Sequence, residues 1–150
     1  MNYSKVLLAA VIATGCMTIF MLLAPHSGLP QMNVGEFLGT VFKGNMVGGW
    51  LLHFMAGIIF VFPYVLLFNR LIPVENKIAR GVIYGILLFV ASEIVFAGIN
   101  IFWHIDWASR QNMAIMVFGD ALACMIYGGV LGSFFDRVGY DALEDTKRHA

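Results

Sequence analysis

Apolar residues in this chain come in four long runs separated by short polar stretches, and each run is long enough to cross a bilayer. A hydrocarbon core of about 30 Å needs roughly 20 apolar residues in a helix, at about 1.5 Å of rise per residue. The runs cover about 6–24, 47–68, 78–103 and 113–135. Pro25 closes the first, and Asn69-Arg70 with Pro73 closes the second. Trp103 and Trp107 mark an interface after the third. Between the first two runs, Asn33-Val-Gly-Glu36 has the spacing of a capping box. Val34, Phe37, Leu38 and Val41 follow as one helical apolar stripe, and Gly44-Asn45 stops it. This predicts a short amphipathic helix at about 34–43, lying in the outer interface or dipping back into the bundle. The predicted fold is therefore an all-α integral membrane protein. It is a single domain, a four-transmembrane-helix bundle with a short helix in its first outer loop and a tail at 136–150.

Composition agrees with that pattern and narrows the function classes. Of 150 residues, 60% are apolar and 12% charged, whereas a soluble domain carries about 25% charged residues. The 9 Lys plus Arg balance 9 Asp plus Glu with no basic block, so nucleic acid is not an expected partner. Basic residues in the short loops set orientation. Lys5, Arg70, Lys77, Arg80, Arg137, Lys147 and Arg148 share one side, and Lys43 and Arg110 the other. Both termini are thus expected in the cytoplasm, with the chain in a bacterial inner membrane. Ala13-Thr14-Gly15-Cys16 resembles a lipoprotein signal, but the apolar run continues through Leu23. The segment is expected to stay as a span.

Shifting the chain by 71 residues lays Val11-Ile12 on Val82-Ile83, Gly48 on Gly119, Leu51 on Leu122 and Gly57 on Gly128. His53 then falls on Cys124 and Gly49 on Asp120. A duplicated hairpin gives this pattern, as does an ordinary four-helix bundle. Gly81-x-x-x-Gly85 and Gly128-x-x-x-Gly132 are small-residue motifs that let helix backbones approach, within the chain or against a partner.

Carboxylates and imidazoles inside a span are expensive, about 2.5–3.5 kcal/mol for Asp at a helix centre. Counted from the outer boundary, His53 and Asp120 lie roughly 10 Å deep and Glu93 about 15 Å deep. The inner half offers only hydroxyls such as Tyr64, Tyr84, Tyr127 and Ser133. Helical spacing groups Glu93, Ala97, Asn100 and His104 on the third span, and Asp120, Cys124 and Tyr127 on the fourth. It groups Gly49, His53, Gly57, Phe60 and Tyr64 on the second, and Thr14, Thr18 and Met21 on the first. Turning these stripes inward lets the polar groups meet each other instead of lipid. The expected result is an outer-half polar pocket centred on His53, Glu93 and Asp120, with Asn100, His104 and Cys124 around it.

Three readings of that pocket compete. It is a structural tie between helices, or a ligand or ion site using Glu93 and Asp120, or a metal or haem site. Metal candidates are His26, His53 and His104. The 9 methionines suit copper, but Met also fills apolar gaps. Cys16 and Cys124 read as packed thiols. No phosphate loop, CxxC, HExxH or serine elbow is present, so no cofactor and no catalysis are expected.

Two stretches carry a family resemblance. One is Met21-Leu-Leu-Ala-Pro25 with Gly28-Leu-Pro30-x-Met32 and Glu36-Phe-Leu-Gly39. The other is Gly49-Trp50-x-x-His53-Phe54 with Phe60, then Tyr64-x-x-Leu67-Phe68. They resemble small bacterial four-span membrane proteins with no assigned activity. The resemblance implies the bundle and the membrane, and no reaction. Cys124 stands where a histidine matching His53 would be sought, which weakens a symmetric metal or haem site. The preferred functional expectation is a non-catalytic accessory subunit of a larger membrane complex, respiratory or redox. It would contact lipid and either other membrane subunits or copies of itself. The alternative is a small transporter or ion-conducting oligomer using the outer pocket, and the third reading is metal or haem binding.

Overall fold

The four apolar runs fold as helices in the computed structural model, which describes residues 3–29, 33–103 and 113–135. The first run is α1, Tyr3–Leu23, ended by Pro25 in a 3-10 turn, Ala24–Ser27. The short loop helix is α2, Val34–Gly39, drawn out by a 3-10 turn to Phe42. Asn33 caps it, accepting from the Glu36 N–H at 3.1 Å. The return contact of the expected box differs: the Asn33 side-chain amide donates to Glu36 Oε2 at 3.2 Å. Lys43 and Gly44 then turn through positive φ, 57° and 87°, and Asn45 caps the next helix by accepting from Gly48 N–H.

The second run is α3, Met46–Leu71, and it is not uniform. Pro63 has no N–H to give and shifts the ladder. The Tyr64 N–H turns to Val61 O, Tyr64–Phe68 widens into a π turn, and Asn69–Leu71 completes the helix. Ile72 is extended, as the residue before Pro73 should be. The Tyr64 N–H has left Phe60 O, and the Tyr84 hydroxyl of the next helix donates to that carbonyl instead. Tyr84→Phe is expected to lower stability by about 1 kcal/mol, read as thermal unfolding in detergent, because Phe60 O then loses its substitute donor.

The last two helices are α4, Lys77–Trp103, and α5, Met113–Phe134. They make the tightest seam in the bundle. A Cβ on Gly81 would strike Gly128 O, one on Gly85 would strike Cys124 O, and one on Gly132 would strike Lys77 O. The glycine motifs therefore join α4 to α5 within the chain. On the other side α1 lies against both α3 and α5, with Ala9, Ala10 and Ala13 fully buried and Gly57 packed on Thr14. The 71-residue shift carries that Thr14–Gly57 approach onto Gly85–Gly128, which is also a close approach. α3 and α4 share no comparable backbone seam among the described residues. They meet through rings instead, Tyr84 lying 5.1 Å from both Tyr64 and Phe68.

The outer surfaces of the four long helices are covered with exposed Leu, Ile, Val and Phe. All four are long and apolar enough to cross a membrane. This is a multi-pass membrane protein.

Candidate functional site

Where α3 and α4 part, a cavity of about 220 Å³ opens that every long helix helps to line. Its back wall is Thr14 and Met17 of α1 with Asp120, Cys124 and Tyr127 of α5. One side is Leu52, His53, Ala56 and Phe60 of α3, and the other is Leu88, Ser92, Val95 and Phe96 of α4. Val34 and Leu38 of α2 form the roof. That roof is fixed by glycine: a Cβ on Gly49 would strike Gly35 O, and one on Gly35 would strike the Trp50 ring. Phe37 of α2 bridges to α4 by meeting Phe96 edge-on, with centroids 5.0 Å apart.

The floor is Tyr127, whose hydroxyl crosses the bundle to donate to Gly57 O. On the back wall Thr14 donates to Ala10 O and Thr18 to Thr14 O, each at 2.8 Å. The Thr18 proton is therefore engaged by its own helix, and His53 Nε2, 3.1 Å from Thr18 Oγ1, must then be the donor in that pair. Trp50 and Phe54 hold the imidazole edge-on, with centroids 5.8 Å away. Asp120 has one buried oxygen, Oδ2, with no hydrogen-bond partner among the described residues. A buried acceptor left in that state costs about 1–3 kcal/mol.

His53, Asp120 and Cys124 thus face one cavity. Glu93 does not line it. The wall of α4 runs through Ser92 and Phe96, and Glu93 sits half-buried on the flank of that face, near enough for its charge to act on Asp120. The side chain of Asn100 and all of His104 lie outside the described residues, as do Trp107, Arg110 and the tail 136–150. His26 is exposed in the turn after α1 and not on the cavity wall. Among the described residues no three of His, Cys, Asp and Glu gather as a metal site would require.

One polar group belongs elsewhere than the sequence reading put it. Arg80, counted with the loop cations, is completely buried at the start of α4. Its guanidinium donates to Val74 O at 3.0 Å and to Phe135 O at 3.2 Å. It ties the α3–α4 connection to the end of α5, where helix carbonyls lack partners. The half of the bundle away from α2 therefore holds a buried cation as well as hydroxyls. The available signal was its phase, since Arg80 precedes Tyr84 and Leu88 by four and eight residues on the inward stripe.

The sequence profile of a family of unknown function matches residues 2–145. No curated protein and no solved structure matches the chain.

Proposed function

The chain belongs to that family of unknown function, DUF6789, and from this premise we propose that it is a non-catalytic, carrier-type binding protein for a small molecule dissolved in the lipid phase. What carries the proposal is the cavity between α3 and α4, with a buried, unpartnered carboxylate oxygen at its back. Its most exposed lining residue is Val95, 52% exposed on α4, so the mouth faces sideways into lipid. A purely structural tie between helices would leave neither the space nor the orphan oxygen. The distribution of basic residues supports a bacterial inner membrane with both termini in the cytoplasm, which puts the cavity in the outer leaflet.

The protein extracted gently from its own membranes should carry a stoichiometric small mass in native mass spectrometry. Ala56→Trp, which fills the cavity from α3, should remove it. Wild-type protein with no added mass, or an Ala56→Trp variant that keeps it, would overturn the reading.

A second reading, the accessory subunit of a respiratory or redox complex, retains one supporting observation. Among the described residues nothing comes within 4 Å of where a Cβ on Gly15 or Gly98 would stand, so α1 and α4 each offer a small residue where a foreign helix could approach. The other glycine pairs, Gly81 with Gly85 and Gly128 with Gly132, are engaged inside the chain and do not support it. Fixed protein partners in the same spectra would favour this second reading.

A further inference from the structure

Resting on the carrier reading, we propose that the cavity takes an amphiphilic amine: a small apolar ring or short chain bearing a protonated nitrogen that pairs with Asp120. The wall has almost no donor left to offer. Thr14, Ser92 and Tyr127 line the cavity, and each hydroxyl already donates to a backbone carbonyl, Ala10 O, Phe89 O and Gly57 O respectively. The His53 Nε2 proton is held by Thr18. The Cys124 thiol pairs with the Ser92 side chain, and S–H is a weak donor. What the wall does offer is an acceptor: Asp120 lines the cavity, and its buried Oδ2 has no hydrogen-bond partner among the described residues. An occupant that only accepts hydrogen bonds would leave that oxygen orphaned, so the occupant must donate.

Charge then separates a cationic donor from a neutral one. Among the described residues no Lys or Arg lines the cavity, while Glu93 on the flank adds its field to that of Asp120. The remaining wall is apolar and includes the rings of Phe60, Phe96 and Tyr127, whose faces attract cations. Size completes the description. An apolar cavity of about 150 Å³ accepts benzene, so about 220 Å³ has room for a ring with a short aminomethyl arm.

The test compares two probes of one shape on the purified full chain in detergent, followed by fluorine NMR: para-trifluoromethyl-benzylamine and para-trifluoromethyl-benzyl alcohol. The amine should bind about tenfold more tightly than the alcohol, the gain of an ion pair over a hydrogen bond from an uncharged donor to the same carboxylate. Asp120→Asn should erase that preference, and Ala56→Trp should abolish binding of both probes. Equal binding of the two probes to the wild-type protein overturns the proposal without reference to any variant. So does an amine preference that survives Asp120→Asn. If neither probe binds while native membranes yield a neutral co-purifying molecule, the amine assignment fails and the carrier reading stands. If neither binds and nothing co-purifies, both fail.

Discussion

Gly128→Ala is expected to cost about 3 kcal/mol of stability, a cost at the upper end for overpacking a close-packed interior. The added methyl would strike Gly81 O and would stand 2.7 Å from Gly85 N. Both are backbone atoms of α4, so no side-chain rotation can relieve the contact. The neighbouring Gly129→Ala is the internal control. Its Cβ would meet only a Val82 methyl at 3.3 Å, and alanine is favoured over glycine in a helix by about 1 kcal/mol. Thermal unfolding followed by fluorescence-detected size exclusion in detergent should show Gly128→Ala melting far below wild type, with Gly129→Ala near it. Two similar melting curves would mean that α4 and α5 do not meet backbone to backbone.

Arg80→Lys should be nearly as damaging as Arg80→Met, each lowering stability by about 2 kcal/mol in the same assay. The guanidinium satisfies two carbonyls in different segments, Val74 O and Phe135 O, because its nitrogens form a fixed fork. An ammonium is a point donor on a floppy stem and cannot hold both at once. If charge alone mattered, lysine would rescue the site. A lysine variant as stable as wild type would therefore show that the end of α5 needs a cation rather than a clamp.

These two expectations come from features that the sequence revealed unequally. The four helices and the loop helix were legible because lipid imposes a strong rule: long apolar runs must be helical, and Asn33 and Glu36 have few other uses at that spacing. The inward stripes of the first, second and fourth spans were legible too, since Thr14, His53, Gly57, Cys124 and Tyr127 are all buried, whereas Ala97 of the third is exposed. Two things were not. Side-chain phase near a helix start is ambiguous without knowing the tilt, so Arg80 read as a loop cation although it is wholly buried. Similarly, about 60° of helical rotation separates Phe96 on the wall from Glu93 on the flank, too little for periodicity to decide. The π turn that recruits Tyr84 was out of reach as well. Pro63 announces a missing donor, but not which distant hydroxyl will supply it.

The attachment of α2 has a mechanical consequence. It is riveted to α3 through Gly35 and Gly49, and it meets α4 through the ring pair of Phe37 on Phe96. Such a pair contributes about 1 kcal/mol beyond its burial. Further down, α4 is clamped along Gly81 and Gly85. α4 is thus held by backbone contact along that stretch and by a pair of rings beside the cavity. A ring pair can give way by rotating a side chain and a backbone seam cannot, so any widening of the cleft is expected beside Phe96 rather than along Gly81 and Gly85.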